Sequence, residues 1–327
     1  MKTHTSSRRA SALLSIGALT LAGLALSSSA ALAVGTPSYD SRITLESTPS
    51  LAFYETNTAE FGDYIRLAGT DRNLENITVG LNGWACEFGT YYEGTCLTTP
   101  GTGFNHPVTV TVYAKSGDDP EVNGSLPGAV LATVTQTIFV PYRPSPDPKN
   151  CGKGTTMWYS VADDTCYDGH AFLATFDFSA LGVVLPTDVI VSIAYETTAT
   201  SANPAGPITD ADLLNVGVAM LPPTVGTDVS PADMYLNSTE ASTYADGGAA
   251  GMGVFRADLG AWARNPGLIL LINTSTPAKP DTSTPEPELA ETGLDSAGSA
   301  VGLIALGGLA LGSAAVVASA VRRRSRA

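Results

Sequence analysis

The sequence predicts an all-β protein: a two-sheet β-sandwich, jelly-roll-like in strand order, over residues 34–274. Three observations predict it. Short runs alternate apolar and polar residues with a period of two. Clusters of Gly, Pro, Asn and Asp separate the runs. No long stretch between residues 40 and 274 carries a 3.6-residue apolar stripe. Strands with no helices between them bury their apolar faces by packing sheet on sheet, and a jelly roll is a common way of winding two such sheets.

Residues 64–68 form the first candidate strand. Ile77, Val79 and Leu81 then alternate with Thr78, Gly80 and Asn82. Val108, Val110 and Val112 alternate with Thr109, Thr111 and Tyr113. From 130 to 140, Val130, Ala132, Val134, Ile138 and Val140 fall on one face, with Thr133, Thr135 and Thr137 on the other. Further runs lie at 172–178, 189–195, 214–220, 253–256 and 268–272. Breakers sit between them, among them Gly117-Asp118-Asp119-Pro120, the proline-rich stretch 141–148, 203–207 and Asp246-Gly247-Gly248. The count, about ten to twelve short strands, suits one large all-β domain. Two smaller sandwiches divided near Pro144–Lys149 are the alternative, and no internal repeat supports the division.

The two ends are not part of this pattern. Lys2, Arg8 and Arg9 precede an apolar stretch at 12–26, and Ala31-Leu32-Ala33 is a small-x-small cleavage site, so residues 1–33 read as a secretory signal peptide. Residues 275–288, STPAKPDTSTPEPE, have no apolar face and read as an extended, semi-stiff spacer. After Leu289-Ala290-Glu291-Thr292-Gly293 comes an uncharged stretch, 296–321, and then four arginines within 322–326. At 1.5 Å per residue that stretch reaches roughly 39 Å as a helix, enough to cross a hydrocarbon core of about 30 Å. The arginines hold its C-terminal end in the cytoplasm.

Leu289–Gly293, the apolar span and the basic tail together resemble the sorting signal of Gram-positive surface proteins, in the LAxTG form of the LPxTG pentapeptide. The resemblance covers the two ends of the chain and not residues 40–274. It implies that the protein is membrane-bound before sorting. A sortase thiolate then attacks the Thr292 carbonyl, Gly293 onward is released, and an amine of the peptidoglycan takes the acyl group. The partners it implies are therefore sortase and peptidoglycan, and the location is the outer face of the cell, covalently on the wall.

The chain carries 17 basic and 31 acidic residues. Taking away the three basic residues before Val34, and the four arginines and one aspartate after Thr292, leaves 10 basic against 30 acidic between those points, a net charge of about −20. Such a surface disfavours nucleic acid, which needs a basic footprint. All four cysteines, Cys86, Cys96, Cys151 and Cys166, lie in the exported part. An even count in an exported chain favours disulfides over thiol chemistry. Of three pairings, Cys86–Cys96 and Cys151–Cys166 each close a short loop. A loop of about 15 residues contributes about 3 kcal/mol by the chain-entropy relation.

Catalytic signatures are few. Residues 34–292 contain two histidines, His106 and His170, which read as loop or strand-end residues. There is no G-x-S-x-G, H-E-x-x-H, P-loop or dinucleotide fingerprint. No C-x2-4-C suggests zinc. Asp163, Asp164, Asp168, Asp210 and Asp212 offer oxygen ligands for calcium, but none stands in a calcium-loop motif, so no cofactor is expected. The strongest binding signal is aromatic: Trp84, Tyr91 and Tyr92 flank the first cysteine pair, and Trp158, Tyr159 and Tyr167 the second. Such rings stack on sugars or anchor a protein partner. The expectation is a wall-anchored surface module for adhesion or ligand binding, with a glycan or a protein as ligand. A wall-attached glycan-acting hydrolase and a purely structural coat protein are the alternatives.

Overall fold

The computed structural model describes residues 35–42, 49–117, 126–195, 213–260 and 267–276. The signal peptide, most of the spacer, the sorting pentapeptide and the apolar span all lie outside the described residues. All described residues belong to one compact unit, which ends at Ala278, with no division near Pro144–Lys149.

Fifteen strands are found among the described residues. They are β1 (Thr36–Asp40), β2 (Ser50–Ala52), β3 (Thr58–Arg66), β4 (Asn73–Gly83), β5 (Gly103–Ala114), β6 (Val130–Pro141), β7 (Trp158–Ser160), β8 (Thr165–Tyr167), β9 (His170–Asp177), β10 (Asp188–Ala194), β11 (Leu214–Gly217), β12 (Thr227–Asp228), β13 (Met234–Ser238), β14 (Arg256–Asp258) and β15 (Leu270–Ser275). The only regular helices among these residues are 3-10 turns, as at Ser179–Leu181. The fold is an all-β sandwich of two antiparallel sheets, as the alternation predicts.

In the first sheet β9 runs along one edge of β4. The other edge of β4 is shared: β15 pairs with residues 73–79 and β11 with residues 81–83. Outside them lie β1 on β15 and β2 on β11. The second sheet has the order β14-β13-β3-β10-β5-β6, and β12 continues the line of β13 along β3. A separate hairpin, β7-β8, lies within the second cysteine loop.

The alternation explains the packing. Ile77, Val79 and Leu81 of β4, Val108, Val110 and Val112 of β5, and Val189, Val191 and Ile193 of β10 are all buried in one continuous core between the sheets. The run 130–140 departs from expectation at one end. Val130, expected to face inward, is exposed. The pairing of β5 with β6 shifts between Val112 and Tyr113, so Leu131 is an extra residue that turns Val130 outward. The second sheet's outer face is not bare: Tyr64, Ile190, Tyr235, Phe255 and Ala257 form a smaller cluster there.

One inward position breaks the apolar rule. On β3, Phe61 and Ile65 face the core, and Asp63 between them is buried as well. Asp228 of β12 sits opposite Ile65 and is buried on the same side. The Leu268 N–H donates to Asp63 Oδ2 at 3.1 Å, and the Ser230 N–H to Asp228 Oδ1 at 3.0 Å. Asp228 Oδ2 and the Tyr39 hydroxyl are buried without a hydrogen-bond partner. Gly267 makes this packing feasible: it has φ 78°, and a Cβ there would overlap Asp63 Oδ2. Burial and the neighbouring Asp228 push the Asp63 carboxyl well above the usual range. Burial lifts Asp228 to about 6, against a lowering contribution from the Ser230 N–H. The Tyr39 phenol is pushed up by burial and by both carboxylates.

Candidate functional site

The two cysteine loops meet at one end of the sandwich. Cys86 is bonded to Cys96, with Cα atoms 5.3 Å apart, and Cys151 to Cys166, at 5.8 Å. Both loops are locally ordered. In the first, Phe88 and Leu97 pair across its neck, and Glu87 accepts from the Thr99 N–H at 2.6 Å and from Thr102 at 3.2 Å. Those bonds hold the Glu87 carboxyl below its ordinary range. In the second, Asp147 caps a turn by accepting from the N–H groups of Lys149 and Asn150, both at 3.0 Å.

Arg143 joins the loops. Its N–H donates to the Ala85 carbonyl at 2.9 Å, beside the first disulfide. Its side chain is fully buried, with Nε donating to the Asp168 carbonyl at 2.7 Å and Nη2 to the Thr156 carbonyl at 2.5 Å. The guanidinium lies 5.1 Å from the centre of the Tyr91 ring, and Nη1 makes no hydrogen bond. Burial draws the Arg143 pKa down, and the Asp168 carboxylate and Tyr91 oppose this.

A groove opens over this junction, on the outer face of the first sheet. Its larger hollow, about 500 Å³, is walled by Trp84 and by Met157, Tyr167, Asp168 and Gly169 of the second loop. Its floor is Ser50, Asn82 and Asn215 of three adjacent strands. A smaller hollow, about 240 Å³, lies between Trp84, Tyr91, Tyr92, Glu55, Leu213 and Asn215. Trp84 and Asn215 belong to both. The Trp84 indole packs edge-on against Tyr91 at 4.7 Å, and Tyr91 against Tyr92 at 5.6 Å. Tyr92 donates to Glu55 at 2.6 Å; burial and that carboxylate push its phenol up. Ser50 Oγ accepts from Asn215 Nδ2 at 3.1 Å and from Trp84 Nε1 at 3.4 Å. Asn82 Oδ1 is buried and has no partner. Gly169 permits the close approach of loop and sheet: a Cβ there would lie 2.0 Å from Asn82 Oδ1 and 3.0 Å from the Trp84 ring.

Four of the six aromatic residues singled out in the sequence therefore line the groove: Trp84, Tyr91, Tyr92 and Tyr167. Trp158 does not. It is buried beneath, donating from Nε1 to the Gly169 carbonyl at 2.8 Å and touching the rings of Tyr167 and His170. Tyr159, the next residue on β7, points to the other face of the hairpin and donates to Asp164 at 2.5 Å. His106 is buried in β5, 5.4 Å from the Tyr195 ring. His170 begins β9, with Nδ1 3.2 Å from the Tyr142 carbonyl. Asp163, Asp164 and Asp168 are engaged with hydroxyls of Ser160, Tyr159 and Thr156, and Asp210 and Asp212 lie outside the described residues. Among the described residues no three or more His, Cys, Asp or Glu side chains gather as a metal site.

Comparison with protein-family models, with curated proteins and with solved structures finds no match.

Proposed function

We propose that this protein is a wall-anchored surface module whose Trp84 groove binds a glycan. The observation that carries the reading is the groove itself. It combines a pinned, half-buried indole with buried amides and hydroxyls, the mixture of apolar wall and a few fixed polar groups that small-ligand sites use. The strand order supports a jelly-roll reading of the scaffold. Taking β1, β3, β4, β5, β6, β9, β10 and β15 as its eight strands, one sheet reads first-eighth-third-sixth and the other second-seventh-fourth-fifth. The remaining strands extend this frame.

The position of the chain exit supports display. Ser275 pairs with Asn73 at the start of β4, whereas Trp84 follows the far end of that strand. Eleven residues of strand separate them, roughly 36 Å. The groove therefore lies at the end of the sheet opposite the point where β15 ends and the chain continues into the spacer.

Two experiments test the reading. A glycan array probed with the purified chain is expected to give hits that Trp84→Ala removes; an array blank for the wild type rejects the glycan ligand. For anchoring, muramidase is expected to release a wall-linked species from wild-type cells, and Thr292→Ala to leave the protein in the membrane fraction. Equal release from both rejects sorting at Thr292.

A further inference from the structure

The chemistry of the groove also narrows the ligand class, an inference that rests on the glycan-binding reading. The polar groups lining the two hollows are uncharged amides, hydroxyls and an indole N–H, joined by two carboxylates. Asn82 Oδ1 is only 5 % exposed as a residue and lacks a donor. Such a carbonyl gains from any donor that reaches it, an ordered water or a ligand hydroxyl. Asp168 and Glu55 add carboxylates, one in each hollow. Among the described residues no Lys, Arg or His lines either hollow. The nearest guanidinium described, that of Arg143, is fully buried beneath and committed to two carbonyls and the Tyr91 ring. An anion entering the groove thus meets two carboxylates, no exposed cation and a surface of large negative charge. A ligand rich in hydroxyls, which both donate and accept, meets amides, hydroxyls and carboxylates beside an aromatic wall.

The shape adds a second constraint. The hollows, about 500 and 240 Å³, are separated by the same two side chains, Trp84 and Asn215. The indole is fixed by Tyr91 on one side and by Ser50 at Nε1, so it is ordered before a ligand arrives. A ligand in contact with both hollows must pass over it.

We infer that the groove takes an uncharged oligosaccharide of two or more units, laid across Trp84 with a ring in each hollow, and rejects acidic glycans. The test is titration of the purified full-length chain with neutral β-glucan, N-acetylglucosamine, mannan and galactan oligomers of one to six units. Hyaluronan oligomers, sialyllactose and a lysine-rich peptide are titrated beside them. In at least one neutral series, affinity is expected to rise tenfold or more between one unit and two or three, then level off. Acidic chains are expected at least tenfold weaker. Trp84→Ala and Asn82→Leu should each remove the gain with length, and the pair Glu55→Gln and Asp168→Asn should narrow the gap to acidic chains. Acidic chains binding as tightly as neutral ones, or single sugars as tightly as their oligomers, overturn this inference and leave glycan binding standing. Binding of no glycan at all, or of the lysine peptide above every glycan, overturns both.

Discussion

Replacing Asp228 by Asn should stabilise the protein at neutral pH and do nothing below about pH 4. The folded Asp228 carboxyl titrates at about 6, against an ordinary 3.8. Between those values the folded state keeps a proton that the unfolded state releases. Stability therefore falls as pH rises through this window, and the full penalty stands above it. Two units at 1.36 kcal/mol each give roughly 3 kcal/mol. Asp228 also borders a small surface hollow with Pro222, Pro223 and Pro231, so solvent screening reduces this to about 1–2 kcal/mol. In a domain of this size that is a rise in Tm of roughly 3–6 °C. Asn keeps the acceptor for the Ser230 N–H and cannot ionise. The assay is thermal unfolding followed by circular dichroism, with wild type and Asp228→Asn compared at pH ~4, ~5.5 and ~7.5. Taking the difference cancels the carboxyls that ion pairs and hydrogen bonds hold low, such as Asp40 and Asp188, whose stabilisation is lost as pH falls below the ordinary range. A difference of the same size at every pH, or a wild type more stable than the variant at pH ~7.5, would refute the reasoning.

Trp84→Ala should abolish glycan binding with little loss of stability, whereas Trp158→Ala, which empties a buried and hydrogen-bonded site, should cost about 3–5 kcal/mol in denaturant unfolding; the reverse pattern would exchange their roles. Gly169→Ala should weaken binding and lower stability by about 1–3 kcal/mol, since its Cβ has no room against Asn82 and Trp84; unchanged binding by calorimetry would mean that the loop does not wall the groove. Removing the Cys151–Cys166 bond by double Ser substitution should cost about 3 kcal/mol for its 15-residue separation, seen as a lower Tm, and an unchanged Tm would count against it.

The long strands were legible because both their faces obey one rule. β4 and β5 alternate cleanly over 77–82 and 108–113, and each has a fully buried inward row. β1, β12 and the β7-β8 hairpin were not, being two to five residues long and fixed by pairing partners distant in sequence. The bulge at Leu131 was equally hidden, since a register shift leaves the composition of a strand unchanged. At the site, the aromatic residues were visible through their closeness to cysteines. The polar floor was not. Asn82, Asn215 and Ser50 sit at outward strand positions that look like any solvated residue until β11 brings them together. Trp158 and Tyr159 show the same limit from the other side. Neighbours on a strand face opposite ways, and which way is decided by the loop that β7 closes.

The placement of Trp84 and Ser275 on two neighbouring strands also fixes how the domain carries load. Trp84 continues β4 at one end, and the chain leaves β15 at the other. Under the proposed anchoring of the C-terminus, a ligand pulled outward draws these two strands in opposite directions along their length. The hydrogen bonds between antiparallel strands lie perpendicular to that pull, so those pairing residues 73–79 with 270–275 are strained together rather than opened one after another. Under that proposal, tension between groove and tether meets β4 and β15 in shear.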